Sequence, residues 1–196
     1  AGTFSISPLR VELSSGERTG ALTIRNQDDS PVVVQAQAML WHQDAGQDQL
    51  TPTRDVLVSP AVFTIPGSGS QLVRVALRVP ADAQRELSYR VILTEVPQQA
   101  SEDFTGLNVA LRLSLPVFVA PAGQAKPQLE WSAARDATGA VALTARNAGM
   151  AHDRILSFSV VPITGAASAV SQDVAAYLLP GQSRTWTLDN KQKETA

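Results

Sequence analysis

From Leu107 to Val119 an aliphatic side chain stands at every second position: Leu107, Val109, Leu111, Leu113, Leu115, Val117 and Val119. Asn108, Ala110, Arg112, Ser114, Pro116 and Phe118 fill the places between them. A period of two puts alternate residues on one face of a β-strand, and a helix cannot collect them on one side. A strand usually runs ~5 to 6 residues, whereas this pattern at ~3.3 Å per residue would span roughly 40 Å. Pro116 has no N–H to give a central ladder, which argues for an edge strand. A long aliphatic edge aggregates unless something pairs with it, so the segment predicts a docking site for a partner strand. The competing reading is a long core strand running into a linker.

The same period governs the rest of the chain. Val73, Val75, Leu77 and Val79 alternate with Arg74, Ala76 and Arg78, and similar runs cover 20–25, 32–41, 89–96, 140–145, 155–163 and 185–188. Turn residues separate them, as in Asp44-Ala45-Gly46, Pro66-Gly67-Ser68-Gly69 and Pro180-Gly181. The fold class is therefore all-β. Residues 81–87 alone have helical character, enough for a turn or two. Phe4 and Ile6 precede Pro8 in one parity, while Leu9, Val11 and Leu13 follow in the other, so the first strand should break at Pro8 and change sheet.

Seven or eight strands before residue 121 suffice for one sandwich. Ala120-Pro121-Ala122-Gly123 cannot continue the ladder and reads as a linker, giving domains at 1–121 and 122–196. The second domain shows about five strand patterns, short of a complete immunoglobulin-type sandwich, and its last strands are expected to be missing.

The 16 basic and 18 acidic residues leave a net charge of −2 without long runs of either sign, which excludes the electrostatic footprint of a nucleic-acid binder. No apolar run approaches the ~20 residues of a membrane span, so the chain is expected to be soluble. Ala1-Gly2-Thr3 does not open an export signal, and any such signal is expected to have been removed. Without cysteine there is no thiolate nucleophile and no sulfur-ligated metal.

Catalytic and metal-binding frames are missing as well. Gly67-Ser68-Gly69-Ser70 follows a proline and lacks the spacing of a nucleophile elbow, which makes it a turn. His42 precedes a polar turn and His152 sits in a turn-like stretch, too far apart in sequence and too poor in neighbouring carboxylates for a metal site. No catalytic residue, metal or cofactor is expected. Arg90 interrupts Tyr89-Arg90-Val91-Ile92-Leu93, where both faces are apolar, and so needs a partner or an opening to water.

Five pieces in order, Ile6-Ser7-Pro8-Leu9-Arg10-Val11, Leu22-Thr23-Ile24-Arg25-Asn26, Pro80-Ala81-Asp82, Thr94-Glu95-Val96-Pro97 and residues 111–121, resemble the periplasmic pilus-assembly chaperones, the PapD-like family. Residues 111–121 are most similar to the archaic chaperone-usher branch, and Leu143 to Asn147 with Leu178 to Gly181 extend the likeness into the second domain. The resemblance implies two immunoglobulin-like domains at an angle, with a cleft that holds a pilus subunit. It implies that the segment 107–119 is lent to an incomplete subunit as a strand, and that an outer-membrane usher receives the complex. A basic pair in the family's cleft binds the subunit's terminal carboxylate. Arg10 matches the arginine of that pair, while the usual lysine position falls on Pro116. Arg90 is then the expected second charge, with Arg112 in reserve. Leu107, Val109, Leu111, Leu113, Leu115 and Val117 are the expected donor side chains, and self-association through the same edge is a corollary for the free protein. The segment 98–106 is short for its place in the family. A secreted adhesin or carbohydrate-binding sandwich is the alternative, with Trp41, Trp131 and Trp186 as candidate sugar platforms.

Overall fold

The computed structural model describes residues 3–97, 109–161, 163 and 169–188. All regular structure among them is β, in fifteen strands. Residues 81–87, expected to have helical character, hold no helix: residues 83–85 bend and Leu87 already begins a strand.

The chain forms two compact units. The first comprises Ala1–His42, Gln49–Ala83 and Leu87–Gly123, and the second Gln43–Asp48, Gln84–Glu86 and Gln124–Ala196. In the first, β1 (Phe4–Ser7), β3 (Thr19–Asn26), β8 (Ser70–Leu77) and β6 (Val56–Ser59) make one sheet in the order β1-β3-β8-β6. The other sheet runs β2 (Val11–Leu13), β10 (Arg112–Val119), β9 (Leu87–Val96), β4 (Val32–Asp44) and β5 (Gln47–Pro52), with β7 (Val62–Ile65) also paired to β4. The N-terminal segment leaves the first sheet after Ser7, bends through 8–10 and joins the second at Val11, the change of sheet predicted from Pro8. Leu9 departs from its expected parity and is 72% exposed, because it lies in the bend and not in a strand.

Alternation predicts burial closely here. Val73 and Val75 are fully buried and Leu77 nearly so, while Arg74 and Arg78 are exposed. These residues join Leu22, Ile24, Val91, Leu93, Val117 and Val119 in one core drawn from both sheets. Tyr89 lies in that core with its hydroxyl donating to Asp55 Oδ2 at 3.0 Å. Burial, reinforced by the Asp55 carboxylate, pushes the phenol above its ordinary pKa.

The second unit has a sheet of β11 (Leu129–Arg135), β12 (Val141–Asn147) and β15 (Ser183–Leu188), and a pair formed by β13 (Asp153–Val160) and β14 (Val170–Leu178). Among the described residues these are the unit's five strands, of which β11 and β14 were not delimited in the sequence. Ala21-Leu22-Thr23-Ile24-Arg25-Asn26 of β3 and Ala142-Leu143-Thr144-Ala145-Arg146-Asn147 of β12 share five of six residues. Each strand ends in a fully buried asparagine. The Asn26 amide donates to Ser30 O (2.8 Å) and Pro66 O (3.2 Å), and its Oδ1 accepts Asp28 N–H. The Asn147 amide donates to Ala151 O (2.8 Å) and Leu178 O (3.0 Å), and its Oδ1 accepts Gln128 and Gly149 N–H. One device thus ties loop backbone to the sandwich in both units, consistent with the rule that buried amides are hydrogen-bonded.

Candidate functional site

Strand β10 has two kinds of neighbour. Along its whole length it pairs antiparallel with β9, from Arg112 opposite Thr94 to Val119 opposite Leu87. On its other side it pairs parallel with β2, and only at Val117, Phe118 and Val119. Among the described residues, Arg112 to Pro116 has no strand partner on that side and is an open edge.

The ladder fixes which groups that edge presents. Glu95 N–H donates to Leu111 O at 2.8 Å, so odd-numbered residues of this segment turn their main-chain groups toward β9. Arg112 and Ser114 then direct N–H and C=O away from β9, and Pro116 occupies a position whose absent N–H would also have pointed outward. The proline costs the β9 ladder nothing, which is how a proline fits so apolar a strand.

The expected strand of thirteen residues is corrected to eight. Val109 and Leu111 precede it, Val109 being 53% exposed, and Leu107 and the segment 98–106 lie outside the described residues. The ladder ends at Leu111 because its N–H is taken by Glu95 Oε2 (3.2 Å) and not by a main-chain carbonyl. A second correction concerns the aliphatic face, which does not point uniformly at a partner. Leu115 (6% exposed) and Val117 (0%) belong to the protein's own core, because β10 lies opposite the first sheet. Leu113 is half-buried against the same core. Leu111 and Leu113 line a small gap of about 10 Å³ with Phe4, Ile24, Val34, Leu93 and Glu95 at the mouth of the sandwich.

The other face of the edge carries the arginines. Pro116 stands opposite Arg90 and Val117 opposite Val11, and Arg10 is the residue immediately before β2. Arg10 lies in the bend just before β2 and outside the ladder, so the register brings its chain segment to the Pro116 end of β10, where Arg90 stands across the ladder on the other side. Arg112 shares the face of Arg90 but begins the strand ~13 Å further along. The Arg90 guanidinium covers the Trp41 ring at 3.8 Å, and Nη1 reaches Ser114 O at 3.4 Å, a long contact across β10. Trp41 and Phe118 are both buried, with ring centroids 5.9 Å apart. That platform answers the question posed by an arginine among apolar neighbours. Arg10 Nη2 sits 2.9 Å from Glu12 Oε1, with both side chains more than half exposed.

Among the described residues no group of three His, Asp or Glu side chains converges to hold a metal ion. His42 is exposed on β4, and within the second unit His152 Nδ1 lies 2.6 Å from Glu86 Oε1, a pair that the sequence reading missed. Trp41 and Trp186 are 2% and 8% exposed, so they offer no sugar platform; Trp131, at 44%, stacks on Trp186.

These features define an immunoglobulin-like module with an incompletely paired strand and arginines beside it. The chain belongs to the family of pili and flagellar-assembly chaperones: residues 3–125 match the PapD N-terminal domain. It is thus a pilus chaperone and not an enzyme. Among curated relatives, the probable fimbrial chaperone EcpB of Escherichia coli O157:H7 is 27% identical over 97% of this chain and 86% of its own length. Solved structures with this fold include the CsuC–CsuE chaperone–tip adhesion subunit complex from archaic Csu pili of Acinetobacter baumannii. It has a TM-score of 0.73 and 23% identity over 98% of this chain and 90% of that one. They also include the Salmonella enterica SafA pilin in complex with the SafB chaperone (0.67, 18%, 94% and 83%). Among the described residues no helix is long and apolar enough to cross a membrane.

Proposed function

We propose that the protein captures pilus subunits in the periplasm by adding a subunit strand to the open edge Arg112–Pro116, and that it passes them to an outer-membrane usher. The observation that carries this reading is the edge itself: outward main-chain groups at Arg112 and Ser114, with apolar side chains on one face and arginines on the other. Strand addition draws affinity from the main chain and specificity from alternate side chains. The donor side chains are Val109, Leu111 and Leu113, which are wholly or partly accessible, whereas Leu115 and Val117 hold the edge in place from within.

Arg10 and Arg90 receive the subunit's terminal carboxylate between them. Guanidinium groups bind carboxylates through forked, charge-assisted hydrogen bonds, and Trp41 beneath Arg90 limits its rotamers before the ligand arrives. Arg10 must exchange Glu12 for the incoming carboxylate. Pinning one strand end also sets the register, since a one-residue slip turns every side chain to the wrong face. Arg112 lies too far along the strand to share the same carboxylate and serves the other end of the edge. The relatives' chaperone–pilin and chaperone–adhesin complexes support subunits as partners.

Co-expression with a pilus subunit from the same genome tests the proposal. The subunit should accumulate as a soluble complex with the wild-type chaperone, and Arg90→Ala should reduce that complex without lowering the chaperone's own level. Equal recovery with both would overturn the anchor, and no complex with either would overturn the capture of that subunit.

A further inference from the structure

Glu95 is a charged residue on the inward face of β9, in line with Val91 and Leu93, where the alternation asks for an aliphatic side chain. Its backbone N–H donates to Leu111 O at 2.8 Å, and its carboxylate Oε2 accepts Leu111 N–H at 3.2 Å. A regular antiparallel pair would close that second bond with the Glu95 main-chain carbonyl. Here the side chain replaces it at the point where the chain leaves the sheet: Arg112 is the first residue of β10, and Val109 and Ala110 have no regular structure. Leu111 also lines the gap beneath the edge with Leu113, Phe4 and Ile24.

We infer that Glu95 is a positioning residue that sets where the docking edge begins. By holding Leu111 at both main-chain groups, it fixes the Leu111 side chain over the gap and presents Arg112 N–H, the first outward group, in strand geometry. An aliphatic residue at 95 would improve the core but leave Leu111 N–H without that acceptor, and the segment ahead of β10 would fray. The inference rests on the strand-docking reading above for its consequence, though not for its geometry.

The test compares Glu95→Gln, whose amide oxygen still accepts, with Glu95→Ala. The first readout is amide hydrogen exchange at Leu111, Leu113 and Leu115. The second is binding of a synthetic Thr-Val repeat peptide with a free C-terminal carboxylate, followed through the amide shifts of Arg112 and Ser114. Glu95→Ala should accelerate exchange at Leu111 by more than tenfold, leave Leu113 and Leu115 unchanged and weaken the peptide several-fold. Glu95→Gln should behave as wild type in both. Unchanged exchange at Leu111 in Glu95→Ala overturns the clamp, and uniform acceleration along β10 overturns it in favour of a general structural role. If wild type shows the clamp but the peptide does not bind, strand docking fails while the clamp stands.

Discussion

Pro116 lies directly opposite Arg90 across the β9–β10 ladder, in a position where its missing N–H would have faced away from β9. On the other side of β10 the β2 ladder begins at Val11, the residue after Arg10. The proposed docking edge and the proposed carboxylate anchor therefore share the Pro116 end of β10.

The first prediction concerns that anchor. Arg90→Ala should weaken a carboxylate-terminated strand peptide by about 10- to 150-fold, the equivalent of ~1.5 to 3 kcal/mol for a hydrogen bond to a charged group. Arg10→Ala should cost less, because its side chain is more than half exposed. Removing its competitor through Glu12→Gln should raise affinity by less than ~5-fold, since an exposed ion pair contributes under ~1 kcal/mol. Arg74→Ala and Arg78→Ala, on exposed positions away from the edge, should bind normally. Calorimetric titration of the five variants is the measurement, and equal losses in all of them would mean diffuse electrostatics.

A second prediction separates edge from core. Leu115→Ala should lower stability by ~2 to 5 kcal/mol, as buried leucine truncations do. Val109→Asp should stay within ~0.5 kcal/mol of wild type because Val109 is exposed. Only Val109→Asp should then lose peptide binding at full stability. Urea denaturation beside the binding assay checks both, and a stable Leu115→Ala variant that no longer binds would reverse the assignment.

How much of this was legible in the sequence depends on which force sets each feature. Alternation reports burial wherever two sheets cover a strand, so the inward face of β8 and the change of sheet at Pro8 were both readable. Arg10 and Arg90 were named as a pair from the family resemblance, and which strands flank β10 between them needed the β2–β10–β9 order. The limits of β10 were not readable, because a side-chain acceptor on Glu95 ends the ladder while the period of two continues past it. Nor does period two say whose core a face belongs to, which is why Leu115 and Val117 were assigned to a partner. The clue to Glu95 was present as a carboxylate in the inward parity of β9.

Tyr89 gives a pH prediction. Its folded pKa is raised above the ordinary ~10, so the unfolded chain ionises first as pH rises. The stability this contributes is complete below pH ~10 and is lost as pH climbs through the folded value. Tyr89→Phe should show a shallower alkaline decline and, at neutral pH, lose ~1 kcal/mol with the Asp55 hydrogen bond. Denaturation midpoints across the alkaline range test this, and identical slopes in the two proteins would contradict it.

The paired asparagines predict matched losses. Asn26→Ala and Asn147→Ala each strand buried carbonyls and amides that the carboxamide now satisfies, at ~1 to 3 kcal/mol per site. Amide exchange resolves the two units, and Asn26→Ala should loosen the loops at Ser30 and Pro66, while Asn147→Ala should loosen those at Ala151 and Gln128. A loss below ~0.5 kcal/mol in either variant would mean that water substitutes for the side chain.

The central claim is that a partner strand adds to Arg112–Pro116 with its carboxylate end between Arg10 and Arg90. The most direct measurement is a titration of the labelled protein with the Thr-Val repeat peptide, ending in either a free carboxylate or an amide, observed at the Arg112 and Ser114 amides. The account predicts that the carboxylate form shifts and protects both amides and binds at least about tenfold more tightly than the amide form. Equal affinities, or shifts confined to another edge such as β6, would contradict it.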